Sequence, residues 1–196
     1  MKKLVGDVAT IKPGLVTSGR GAGAKPGDWA LTVVSGGDIQ DDILDLSTAE
    51  TISIEQNART EKHMLQPHDV LVTGRSTLVK AALVPPGVSR TVANTNLLVV
   101  SPYVPEDGIY LWWFFTSDYG RRLIASNMSG SAGLMSLPAW TLSAMEVPWP
   151  DESQLFKLAD LIEASERAYT SAKGAAELRR NVIRDNVVNA LVSRES

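Results

Sequence analysis

"LPAWTLSAMEVPWPDESQLFKLADLI", residues 137–162, changes character in its middle. Leu137 to Val147 reads as extended chain, punctuated by Pro138, Pro148 and Pro150. Asp151 then stands where a helix N-cap belongs, and Gln154 three residues later completes a capping-box pattern. From there a 3-then-4 spacing runs through Leu155, Leu158, Ile162, Ser165, Tyr169, Ala172, Ala176, Arg179, Ile183, Asn186 and Ala190. Ser165, Arg179 and Asn186 are its polar breaks, and a second row (Leu161, Ala164, Ala168, Ala175, Leu178, Val182) widens the stripe. A seam kept over several heptads predicts helix-to-helix packing along its length. At about 1.5 Å per residue the helix would be roughly 60 Å long. That exceeds the width of a small β-rich domain, so part of the apolar face needs another partner. The competing expectation is a helix folded back on its own domain, or broken at Gly174 into a hairpin.

Upstream, residues 1–100 read as short strands cut by turns. "WALTVVSG" (29–36), "TISIEQ" (51–56), "DVLVTG" (69–74), "KAALV" (80–84) and "TNLLVV" (95–100) are β-branched or aliphatic runs bounded by Gly, Pro, Asn and Asp. The acidic "GDIQDDILDLS" between the first two fits a helical turn, with Asp38, Asp41, Asp42 and Asp45 on a solvated side opposite Ile39, Ile43 and Leu46. "PEDGIYLWWFFTSDYGRRLIASN" (105–127) has helical spacing, with Trp112, Trp113, Phe114 and Phe115 expected in the core and Arg121 and Arg122 on the surface. "SGSAGLMSLPAW" (129–140) reads as a small-residue loop before a last short strand. The expected class is α+β: a β-rich domain with a few helices over residues 1–150, then one long coiled-coil-forming helix over 151–196.

Composition excludes several classes of function. The 196 residues are 44% hydrophobic and 21% charged, ordinary for a globular protein with a core. There is no cysteine, hence no disulfide, thiolate metal site or cysteine nucleophile. The apolar run "IYLWWFF" (109–115) is too short to span a bilayer, and "MKKLVGDVATIKPG" lacks the apolar core of a secretory signal. A cytoplasmic protein without membrane contact is expected. The net charge of −3 weighs against nucleic acid, because phosphate binding usually leaves a basic footprint. Any DNA contact therefore needs a local patch or partner subunits.

Catalytic and cofactor motifs are missing. In "SGRGAGAKPGD" (18–28) Lys25 precedes Pro26, and the glycines fit neither nucleotide-loop nor dinucleotide spacing. No lysine has an acidic residue two positions before it, so the (D/E)xK arrangement of metal-dependent nucleases is absent. His63 and His68 are too few for a zinc site, and Ser131 lies outside any G-x-S-x-G elbow. "SPYV" (101–104) departs twice from the N-P-P-aromatic motif of base methyltransferases. The expectation is a non-enzyme with no catalytic residue, no metal and no cofactor.

Three stretches together resemble the specificity subunit of type I restriction–modification enzymes. "GDVATIKPG" (6–14) is like the opening of its target-recognition domain. "LQPHDVLVTGRSTLVKAALV" (65–84) is similar to the family's hydrophobic-x-x-G-D-hydrophobic-hydrophobic-hydrophobic-T-x-R-G stretch and its following strand, with His68 in place of Gly and Ser76 where Gly is common. In residues 120–164 a helix ending in Gly-Ser, a Leu-rich strand and hydrophobic-Pro-x-Pro precede the Gln that starts the long helix.

The resemblance implies a pair of target-recognition domains held apart by two antiparallel helices, each domain reading half of a split DNA sequence. Methyltransferase and nuclease subunits would supply the chemistry. With one domain and one helix, this chain looks like a half-sized form expected to homodimerise through Leu155, Leu158, Ile162, Tyr169, Ala172, Ala176 and Ile183. Base and phosphate contacts need Arg, Lys, Asn, Gln or hydroxyl side chains. The candidates are Arg20 and Lys25, then Arg75, Ser76, Thr77 and Lys80, then Arg90, Asn94 and Asn96. The alternative is a non-catalytic protein-interaction module, such as a phage- or plasmid-borne competitor for a restriction–modification complex.

Overall fold

The computed structural model describes residues 1–17, 29–54, 57–131 and 133–192. Contacts divide the chain into a unit Met1–Phe156 and a unit Lys157–Ser196.

At the centre of the first unit lies an antiparallel sheet in the order Ala9–Pro13, Leu97–Pro102, Val70–Thr73, Ala81–Leu83. Its two inner strands, Leu97–Pro102 and Val70–Thr73, are largely apolar on both faces because both faces are covered there. Leu71, Ala82, Leu97 and Val99 join Val34, Ile39, Leu44, Leu65, Val84 and Ala93 in one core cluster. The alternate residues Val70, Val72, Leu98 and Val100 are buried as well, and the helix Pro105–Thr116 packs on these strands. A second sheet sets Thr91–Ala93 parallel to Trp29–Val34, which pairs antiparallel with Glu50–Ile54. Leu15, Leu31, Val33, Ile52, Ile54 and Val92 form its core.

Several local expectations are corrected. The acidic stretch is no helical turn. A 3-10 turn at Gly36–Asp38 leads into a tight hairpin of Ile39–Gln40 with Ile43–Leu44. Asp41 and Asp42 take φ of +50° and +63°, the left-handed pair that a two-residue hairpin turn requires and that Asp tolerates. The acidic side chains are not all solvated either. Asp38 is buried and accepts from the Ser35 amide (2.7 Å), the Ser35 hydroxyl (2.8 Å) and Thr48 (2.8 Å). Asp42 meets Arg121, whose guanidinium reaches both carboxylate oxygens, so Arg121 is not merely helix surface. Burial raises the Asp42 carboxyl while Arg121 pulls it down.

The segment 105–127 is two helices, Pro105–Thr116 and Asp118–Ser126. Ser117 makes the break: its hydroxyl accepts from the Gly120 amide (3.1 Å) and donates to the Phe114 carbonyl (2.6 Å). A Cβ at Gly120 would lie 2.0 Å from the Phe114 carbonyl oxygen, so only glycine fits this turn. Trp112, Phe114 and Phe115 are buried as expected, whereas Trp113 is 47% exposed.

The stretch read as a loop and extended chain holds more structure. Ser129–Ser131 and Leu134–Ser136 form a hairpin, and Ala139–Ser143 is a short helix after Pro138. The strand Glu146–Pro148 follows, paired with Lys2–Leu4. Tyr110 donates to the Pro148 carbonyl (2.6 Å) and stacks edge-on to Trp149 at 5.0 Å, fixing the proline step.

His68 takes φ +70°, where glycine sits without strain and histidine does not. The turn closes on buried Asp69, which accepts from the Gln66 amide (2.9 Å) while its own amide donates to the Gln66 carbonyl (3.1 Å). Burial raises the Asp69 carboxyl against the pull of Gln66, Ser101 and Lys12.

The long helix runs unbroken over Glu152–Val192, through Gly174. Gln154 accepts from the Asp151 amide (3.4 Å), one half of the expected capping box. Leu155, Ala159 and Ile162 are buried, and Leu158 is half-buried. Every seam position from Ser165 to Ala190 is exposed.

Candidate nucleic-acid interface

Members of two predicted groups meet in one open cleft of about 430 Å³. Arg75, Ser76, Thr77 and Lys80 line it from one side, Asn94 and Asn96 from another, and Ser35, Gly36, Gly37, Thr73 and Leu78 complete it. Backbone bonds join the first two sets: the Gly74 and Arg75 amides both donate to the Asn96 carbonyl, at 2.7 and 3.0 Å. Asn94 closes its own turn, its side-chain oxygen accepting from the Asn96 amide (3.0 Å).

The 74–80 loop is held from within. Thr73, buried at the end of its strand, donates to the Leu78 carbonyl (3.0 Å) and accepts from the Lys80 amide (3.0 Å). Ser76 accepts from the Leu78 amide (3.1 Å). Lys80 ties this loop to the 35–38 turn, its ammonium donating to the Gly36 carbonyl (2.9 Å) and the Ile39 carbonyl (2.8 Å). An ammonium has three donors, so one remains for a ligand while the other two hold the group in place.

Among the described residues lining the cleft, none is acidic. Arg75, Thr77 and Asn96 are exposed, and Ser76, Lys80 and Asn94 are half-buried. Such a surface offers guanidinium, ammonium, amide and hydroxyl donors to an acceptor-rich anionic partner. The chain carries 19 basic and 22 acidic side chains, so the positive character is local.

The remaining predicted residues lie elsewhere. Arg90 does not line the cleft; its guanidinium lies over the Trp29 ring at 5.4 Å, with φ +47°. Arg20 and Lys25 fall outside the described residues. Ser35, Gly36 and Gly37 escaped the sequence reading, although "SGGD" (35–38) carries a usable signal: Ser and Asp three apart are a capping pair, and both caps form. Of the predicted pairing residues, Leu155 and Ile162 are buried within the single chain, Leu158 is half-buried, and Tyr169, Ala172, Ala176 and Ile183 are exposed. Among the described residues no group of three or more His, Cys, Asp or Glu could hold a metal ion, and no helix is long and apolar enough to cross a membrane.

No protein-family model matches the chain, and no curated protein sequence does. Solved structures do. One, from a study of complex assembly and conformational transition in a type I restriction–modification system, superposes with TM-score 0.60 at 15% identity, over 92% of this chain and 43% of that one. The type I S subunit from M. genitalium gives TM-score 0.53 at 14% identity, over 88% and 41%. The HsdS subunit from Thermoanaerobacter tengcongensis gives 0.54 at 14%, over 89% and 39%. This chain thus spans about two fifths of the length of these three proteins. Its fold is that of the specificity subunit of type I restriction–modification systems.

Proposed function

We propose that the chain is a sequence-specific DNA-recognition subunit with no catalysis of its own. It works in the cytoplasm within a type I restriction–modification complex, where methyltransferase and nuclease subunits carry out the chemistry. The observation that carries this reading is the cleft: Arg75, Ser76, Thr77, Lys80, Asn94 and Asn96 line it together, without an acidic neighbour among the described lining residues. Arg and Asn are the side chains that read guanine and adenine edges bidentately, and hydroxyls and Lys suit phosphates and single acceptors.

Two copies act together through the long helix. Tyr169, Ala172, Ala176 and Ile183 follow one another at heptad spacing on one face of the helix and are all exposed, an apolar line that water disfavours. An antiparallel pair related by a twofold axis covers them with the same residues of a second copy. Two such copies read a split palindrome, because protein symmetry is mirrored in the site.

Selection from a random-sequence duplex pool, with the methyltransferase subunit of the same system present, tests the reading. Enrichment of a defined sequence is expected. A pool that stays random, while the chain still binds the methyltransferase, would mean that it occupies the complex without reading DNA.

A further inference from the structure

The ribbon beside the cleft carries apolar side chains where a solvent-facing loop has no use for them. Arg75–Ser76 pairs with Leu134–Ser136, which pairs with Ser129–Ser131. Ser136 lies opposite Arg75, and Met135 opposite Ser76. Side chains alternate along Leu134–Ser136, which puts Leu134 on the face that carries Ser136 and its cross-strand partner Arg75. Leu134 is 58% exposed, and Leu78, on the cleft lining one residue beyond Thr77, is 66% exposed.

We propose that Leu134 and Leu78 form an apolar reading edge that packs on the C5-methyl group of thymine in the major groove, next to the base contact of Arg75. The inference rests on the DNA-reading function above and names two of its specificity-determining residues. The major groove admits a β-ribbon, and thymine alone among the four bases offers a methyl group there. A duplex is favoured over a protein partner because the flanking Arg75 and Lys80 are cationic and no acidic residue is among the described cleft lining.

The test uses the full chain with its methyltransferase subunit and the duplex recovered from the random pool. Each thymine is replaced in turn by deoxyuridine, which removes only the methyl group. Binding by the wild-type chain should fall about fourfold at one position or more, the worth of one buried methyl-sized group. The Leu78→Ala, Leu134→Ala variant should bind thymine and deoxyuridine duplexes equally, at the wild-type deoxyuridine level, with an unchanged melting temperature. A wild-type chain indifferent to every replacement, a variant that keeps the discrimination, or a recovered site without A·T pairs would each overturn the inference and leave DNA reading intact. A variant that loses the methyltransferase subunit but keeps the discrimination would reassign the two leucines to a protein contact. A pool with no enrichment would instead remove the DNA-reading function itself.

Discussion

The unit Met1–Phe156 and the helix beyond Ile162 use apolar residues in opposite ways. In the first, Leu71, Leu111 and Phe115 have essentially no exposed surface, and the runs at Val70–Thr73 and Leu97–Val100 are buried on both faces. In the second, Tyr169 and Ile183 of the heptad seam and Leu178 of the row beside it are 50–65% exposed. Fully burying such a side chain is worth about 1.5–3 kcal/mol. A periodic apolar pattern therefore points to packing, and burial in the single chain shows where the fold itself supplies it.

The difference can be tested from both sides. The largest effect is expected on the helix. Tyr169→Asp with Ile183→Asp places charges in the proposed twofold seam and removes four apolar side chains from each pair of copies. Light scattering at micromolar concentration should give twice the 21.1 kDa chain mass for the wild type and the single-chain mass for the variant. A wild-type monomer, or a variant of unchanged mass, would end the homodimer. Both positions are exposed in the single chain, so folding of the monomer should survive. In the first unit the response should be the reverse. Phe115→Ala should cost about 3–5 kcal/mol in denaturant unfolding, by the same amount at every protein concentration. Concentration dependence of that loss would show that this core also needs a second copy.

Arg75→Ala comes next. It should cost about 1–3 kcal/mol of binding to the selected duplex and relax the preference at one base pair, with thermal stability unchanged because Arg75 is exposed. A uniform loss across all sequences would make Arg75 a phosphate contact. The smallest effect is a gain. His68→Gly removes a left-handed strain of roughly 1–2 kcal/mol, offset by the greater freedom of glycine in the unfolded chain, about 0.4–1 kcal/mol. The melting temperature should rise slightly; a fall would mean that the imidazole contributes more than its backbone costs.

Much of the fold was readable in the sequence, and for physical reasons. Val70–Thr73 and Leu97–Pro102 announce themselves because strands covered on both faces are nearly continuous aliphatic runs. The long helix shows in its cap and its heptads. What stayed hidden is short or depends on distant partners. In 36–46, Ile39, Ile43 and Leu46 have helical spacing by coincidence, and the hairpin depends on two left-handed aspartates. Thr91–Ala93 is a three-residue strand whose neighbour, Trp29–Val34, lies some sixty positions earlier in the chain. The cleft divides the same way. "GRSTLVK" (74–80) and the asparagines at 94 and 96 look like polar turns in the sequence, but only the Gly74 and Arg75 bonds to Asn96 bring them together. No local rule could have foreseen that Lys80 is tied to Gly36 and Ile39, since that contact spans about forty residues of chain.

The symmetry of the DNA sequence enriched from a random pool joins both halves of the molecule in one reading. On the proposed twofold pairing, two copies of one cleft would require two inverted identical half-sites with a fixed gap. At roughly 34 Å per turn of duplex, helices of this length allow a separation of about one to two turns between half-site centres. A split palindrome with such a gap is the expected result. A single undivided element, or two unlike half-sites, would contradict it.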